Sequence, residues 1–104
     1  MRYELLLFKS GKLVDRQSLE PNGKATCKGQ IYEDLPFGVE VKLYGDDGNG
    51  ECWAEVKFTE GNLRYEPTLC VSKGYGALSW DSDLKHDMIM VICPARGGRK
   101  KSRE

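Results

Sequence analysis

The chain holds one imidazole, His86, and four thiols, Cys27, Cys52, Cys70 and Cys93. Any Ser–His or Cys–His nucleophilic pair has to use that single histidine, because an unactivated hydroxyl or thiol attacks poorly at neutral pH. His86 stands in Asp81-Ser82-Asp83-Leu84-Lys85-His86-Asp87, a polar stretch between apolar segments. An exposed loop histidine among carboxylates is the simpler account of it. No G-x-S-x-G, G-x-x-x-x-G-K-[ST] or H-E-x-x-H run is present. The sequence therefore predicts no enzyme and no cofactor.

Metal chemistry is not expected either. No two cysteines have the C-x₂₋₄-C spacing that lets a tight turn aim two thiolates at one zinc ion. They are read as free, small buried hydrophobes on four separate strands. Asp46-Asp47-Gly48-Asn49-Gly50-Glu51 gathers oxygen donors, but it departs from the EF-hand order: counted from Asp47, the sixth position is Cys52. It is expected to be an acidic hairpin tip; an enzyme or a Ca²⁺-dependent sugar binder built on the acidic loops, with help from Asp81 and Asp83, is the third-ranked reading. Gly74-Tyr75-Gly76-Ala77-Leu78-Ser79 begins like a dinucleotide glycine loop but has Ser79 at the third glycine, and reads as a turn.

Two constellations could bind macromolecules. The sixteen basic and sixteen acidic side chains cancel, but unevenly along the chain. Arg96, Arg99, Lys100, Lys101 and Arg103 crowd the last nine residues, leaving eleven cations and fifteen acids in the preceding 95. Such a tail can track phosphates and release their counterions. The second constellation depends on strand phase. Tyr32, Tyr44 and Trp53 fall on the polar phase of three predicted strands, interleaved with Lys28, Lys42, Lys57, Glu40 and Glu55. Large aromatics among amphipathic charges form protein-binding hot spots or base-stacking platforms. They can also do no more than pair across strands beneath lysine stems.

The elements that must position these groups follow from period-two alternation. Val39, Val41 and Leu43 oppose Glu40, Lys42 and Tyr44; Cys52, Ala54, Val56 and Phe58 oppose Trp53, Glu55, Lys57 and Thr59. A glycine-rich connection, residues 45–50, joins the two runs into a β-hairpin. Residues 2–9 and 12–19 make a second hairpin about Ser10-Gly11. Further strands are predicted over 25–32, 63–65, 69–72 and 88–93, with Leu35-Pro36-Phe37-Gly38 and Gly74-Tyr75-Gly76 as breaks. In Ala77–Cys93, which has no Gly or Pro, the 3- and 4-residue steps Ala77, Trp80, Leu84, Met88, Val91 leave a short helix near 79–87 as an alternative.

The expected fold is all-β: one antiparallel β-sandwich or open barrel of seven or eight short strands over residues 1–95, with residues 96–104 as a basic tail. Cys27, Ile31, Val39, Val41, Leu43, Ala54, Val56 and Phe58 should form its core. The longest apolar runs, Leu5–Phe8 and Met88–Cys93, are far too short to cross a bilayer as a helix. No signal-peptide pattern opens the chain, so a cytoplasmic location is expected. The expected function is non-catalytic: a small accessory or inhibitor protein docking on a larger protein through Tyr32, Tyr44, Trp53, Lys42 and Glu55. The alternative is a nucleic-acid binder using Arg96, Arg99, Lys100, Lys101 and Arg103 with the aromatics as stacking surfaces. Oligomeric state is left open.

Overall fold

Each strand of this chain has one apolar phase, and a sheet built from such strands has to lay that phase against another layer. The computed structural model describes residues 1–32, 35–82 and 87–95, and of residues 30–32 and 35 the backbone alone. The described residues form nine strands: β1 (Tyr3–Lys9), β2 (Lys12–Leu19), β3 (Lys24–Tyr32), β4 (Leu35–Tyr44), β5 (Cys52–Glu60), β6 (Leu63–Tyr65), β7 (Thr68–Val71), β8 (Gly76–Asp81) and β9 (Asp87–Pro94). They form two antiparallel sheets, one ordered β2-β1-β9-β8 and the other β3-β4-β5-β6 with β7 also paired to β5. The sheets pack face to face. No helix occurs among the described residues, and the arrangement is a sandwich, not a closed barrel.

The inner face of the four-stranded sheet is Tyr3, Leu5, Leu7, Leu19, Met88, Met90 and Ile92; that of the five-stranded sheet includes Cys27, Phe37, Val39, Val41, Leu43, Ala54, Val56 and Phe58. All the expected core residues are buried except Ile31, whose side chain lies outside the described residues. Phe58 reaches across to Trp80 with ring centroids 5.2 Å apart, edge to face, and Phe37 stands 6.2 Å behind it. Such pairs add to the area they bury. At the other end the buried Tyr3 hydroxyl donates to Asp46 Oδ1 at 3.0 Å, fixing the 45–51 loop to β1.

The turns form where residues accept positive φ. Ser10 and Gly11 have φ of 51° and 83°, the primed geometry that suits the twist of β1 and β2. Lys73 and Gly74 (56° and 85°) do the same inside the Ser72–Tyr75 bridge. The turn is therefore Lys73-Gly74, and Gly76 opens β8 instead of closing a turn.

Two further expectations are corrected. Residues 35–38 are the start of β4, not a break. Pro36 is tolerated there because it is second in the strand and lies beside a register irregularity between Gln30 and Tyr32. The stretch offered as an alternative helix is strand at both described ends, β8 to Asp81 and β9 from Asp87; residues 83–86 lie outside the described residues. The buried phase is even-numbered, with Leu78 and Trp80 half-buried and Met88, Met90 and Ile92 fully buried, so the three- and four-residue steps were coincidental. Recognising β8 as a strand raises the count to nine.

Gly50 tests the loop junction. It has φ 91°, and a Cβ there would lie 2.6 Å from Gly74 N, whose N–H donates to Gly50 O. Gly48 has φ 85° with nothing within 4 Å. Gly50→Ala should cost roughly 2–4 kcal/mol, combining strain and overpacking, whereas Gly48→Ala should cost about 1–2 kcal/mol from strain alone. Urea unfolding midpoints at constant m check the difference. Equal losses would remove the junction from the account.

Candidate functional site

The outward phase of the five-stranded sheet is set by the burial of its inward phase. With Val41 facing Val56 and Leu43 facing Ala54 inside, the outer rows are Tyr44 opposite Trp53, Lys42 opposite Glu55, and Glu40 opposite Lys57. β3 adds Lys24 beside Lys42, Thr26 beside Glu40 and Lys28 beside Gly38. β7 adds Cys70 beside Trp53 and Thr68 beside Glu55. The sheet thus brings Tyr44, Trp53, Lys42 and Glu55 together in two adjacent rows. Tyr32 ends β3, and its side chain lies outside the described residues. Arg96, Arg99, Lys100, Lys101 and Arg103 also lie outside them, as do His86 and Asp83.

Trp53 is 48% exposed, while Tyr44 is half-buried. A Cβ at Gly45 would stand 3.7 Å from Trp53 Cδ1, so the indole rests against the first glycine of the loop. Lys24 Nζ bonds Glu40 Oε2 at 3.0 Å. That bond, and more weakly the charge of Lys57, holds the Glu40 carboxyl below its ordinary range. Lys42 and Glu55 face one another without closing to ion-pair distance, and with Lys24, Glu40 and Lys57 they line a shallow depression. Among the described residues neither charge of that row is in an ion pair.

The acidic loop is engaged within the protein. Asp47 Oδ1 accepts the N–H groups of Asn49 and Glu51 at 2.7 and 3.2 Å. Glu51 Oε2 accepts Lys73 N–H at 2.6 Å and the Ser72 hydroxyl at 3.3 Å. Asp46 receives the Tyr3 hydroxyl. Each carboxylate pins the loop, and no group of three or more metal-ligating side chains stands together among the described residues. The loop serves the face by holding the end of the hairpin that carries Tyr44 and Trp53.

The thiols divide. None of the four is in a disulfide and they stand on separate strands, but only Cys27 and Cys52 are buried; Cys93 is half-buried and Cys70 is exposed beside Trp53, contrary to expectation. Thr68 and Cys70 take the outward phase of β7 because Leu69 and Val71 take the inward one. Burial pushes the Cys27 thiol up to about 12, assisted by the Asp15 carboxylate beside it. Burial would also raise Asp15, but bonds from Gln17, Arg16 and Lys28 outweigh it and hold that carboxyl low.

Sequence reasoning missed a second outer surface. On the four-stranded sheet, Leu6 lies between Arg16 and Val91, and Phe8 lies between Leu13 and Ile89. Leu13 and Ile89 are 49% and 39% exposed. The signal was the pair of uninterrupted apolar runs, Leu5–Phe8 and Met88–Cys93: a strand apolar in both phases shows apolar residues on both faces.

Two measurements check this assignment of surfaces. Trp53→Ala should destabilise the fold by less than about 1 kcal/mol, because only a cross-strand contact is lost; Phe58→Ala should cost about 3–5 kcal/mol. In native protein at pH 8, a thiol reagent should modify Cys70 first and Cys93 next, with Cys27 and Cys52 reacting only on unfolding. Cys27 reacting as fast as Cys70 would contradict its burial. Compared with known proteins, the chain matches no family model, no curated protein and no solved structure.

Proposed function

We propose that this protein is a non-catalytic binding module that docks on a larger protein through the outer face of its five-stranded sheet, with Trp53 as the anchor. The observation that carries the reading is the Trp53–Tyr44 row: a half-exposed indole supported by Gly45, beside an aromatic neighbour and the uncommitted Lys42–Glu55 row. Sheet stability alone gains little from an exposed tryptophan. A rigid aromatic surrounded by charge is well suited to anchor an interface, because it loses little entropy when covered and the charges fix orientation. An accessory or inhibitor role is in keeping with such a face.

The second reading, nucleic-acid binding, draws on Lys24, Lys28, Lys42 and Lys57 sharing that face with Trp53. Glu40 and Glu55 stand among those lysines and oppose a polyanion.

Retention of a partner from nuclease-treated lysate by the immobilised full chain distinguishes them. Docking through the face predicts that Trp53→Ala weakens retention by about 30-fold or more, the effect of losing a hot spot. Deleting residues 96–104 should leave it unchanged. Retention that survives both Trp53→Ala and Tyr44→Ala would overturn the docking face. Binding that disappears with nuclease, falls steeply with salt and needs the tail would favour nucleic acid instead.

A further inference from the structure

Glycine inside a paired strand gives up side-chain packing and costs backbone entropy, so its presence there needs a local cause. At Gly29 the cause is internal: a Cβ would stand 2.7 Å from the Phe37 ring. Gly38 is paired on both sides, to Lys28 of β3 and Thr59 of β5. Its φ is not positive. Among the described residues, a Cβ there would meet Thr59 Oγ1 at 3.7 Å and Cys27 O at 3.9 Å, ordinary van der Waals distances. Alanine would fit the fold. The other cause of a strand glycine is a ligand that comes close to the backbone.

The neighbours of Gly38 define that ligand. Residues directly opposite one another in antiparallel strands share a face, and one outward row runs Lys28 on β3, Gly38 on β4, Thr59 on β5 and Arg64 on β6. The absent side chain leaves a gap between Lys28 and Thr59, in a depression of about 450 Å³ that Pro36, Phe37 and Gly61 also line. Lys28 and Thr59 are two strand spacings apart, about 10 Å between backbones. A group seated on Gly38 is therefore within reach of an ammonium on one side and a hydroxyl on the other, with the Arg64 guanidinium next beyond Thr59. The row carries two cations and no acid, and among the described residues neither cation is in an ion pair. Glu40, in the next row, is bonded to Lys24 and stands opposite Lys57. Asp15, beside Lys28, accepts N–H groups from Arg16, Gln17 and Lys28 itself.

We propose that Gly38 is the floor of a binding site for a phosphate monoester, whose phosphoryl group sits between Lys28 and Thr59 with Arg64 closing on it from beyond the threonine. Charge and shape select this ligand. Two cations and a hydroxyl match a tetrahedral dianion with three terminal oxygens, whereas a carboxylate neutralises only one of the cations. The organic part of the ester lies toward the exposed Pro36 ring, the apolar wall of the depression. Six residues of β5, about 20 Å, separate Thr59 from Trp53. The site is thus distinct from the docking anchor and does not rest on it.

Nuclear magnetic resonance titration of the isotope-labelled full chain tests it, with phenyl phosphate as the probe and acetate as the comparison, at constant ionic strength and about pH 8, where the monoester is a dianion. The amide signals of Lys28, Gly38, Thr59 and Arg64 should shift together and saturate, with a midpoint of about 1–10 mM. Lys28→Ala and Arg64→Ala should each raise that midpoint about fivefold or more, while Lys12→Ala, on the other sheet, should leave it unchanged. Gly38→Ala separates the site from the fold. Its urea midpoint should stay or rise, because alanine suits the strand, while binding weakens about tenfold because the methyl group fills the floor. Should that variant unfold, the two exposed cation variants decide. Shifts that never saturate, acetate binding as tightly as phenyl phosphate, or indifference to Lys28→Ala and Arg64→Ala overturns the proposal. So does Gly38→Ala that binds like the parent chain. Tighter binding of a phosphoserine peptide than of free phosphoserine assigns the ester to a partner's side chain, and the reverse order assigns it to a small molecule.

Discussion

The exclusion of water from the even-numbered residues of β5 is the constraint on which the molecule turns. Cys52, Ala54, Val56 and Phe58 all point into the opposite sheet, and none is more than 4% exposed. A one-residue slip of this strand would expose those side chains and bury Trp53, Glu55, Lys57 and Thr59. Burying two charges without partners costs several kcal/mol each, more than a small domain can lose. The outer face is therefore dictated by the inner one. Trp53 is exposed because Phe58, five residues on, is locked against Trp80 of the other sheet.

Both ends of the sandwich enforce this phase by different means. At the Phe58 end the lock is apolar, an edge-to-face contact backed by Phe37 and Tyr65. At the Trp53 end it is polar, with the Tyr3 hydroxyl on Asp46 and the Glu51 carboxylate on the Lys73 N–H. Burial pushes the Tyr3 hydroxyl well above the usual phenol range, and its bond to Asp46 adds to the shift, so the hydroxyl stays a donor at any ordinary pH. The acidic loop is consequently a structural clamp for the row that carries Tyr44 and Trp53. Its carboxylates are held by donors from three different parts of the chain, so loop geometry and face geometry are coupled.

The legible part of the sequence was the part where one phase is apolar and the other polar. The 39–59 hairpin, its register parity and its core residues could be read because Glu40, Lys42, Glu55 and Lys57 mark the wet side without ambiguity. β8 was obscured for the converse reason: Ala77, Ser79 and Trp80 belong to neither class strongly, and no Gly or Pro lies between Ala77 and Cys93 to punctuate the strand. The outer surface of the four-stranded sheet was hidden because Leu5–Phe8 and Met88–Cys93 are apolar in both phases, so alternation carried no signal there. Pairing partners such as Leu6 with Val91 are separated by 85 residues, and such order is set by tertiary packing. The exposure of Cys70 depended on the phase of a four-residue strand, too short for a pattern to resolve.

The two outer faces are chemically unlike, and the difference follows from the position of each strand. β4 and β5 lie inside their sheet, and their outward residues form cross-strand rows of opposite charge, Lys42 with Glu55 and Glu40 with Lys57. Such rows pair opposite charges across an open sheet face and leave the indole of Trp53 exposed. β1 and β9, equally central, carry Leu6, Phe8, Ile89 and Val91 outward, which partly cover one another and leave Leu6, Phe8 and Val91 half-buried. The charges of that sheet retreat to its margins, at Glu4 and Arg16 on one side and Asp81 and Asp87 on the other. A sandwich with a charged, aromatic face behind an apolar one cannot present both to the same partner, because the packed core lies between them.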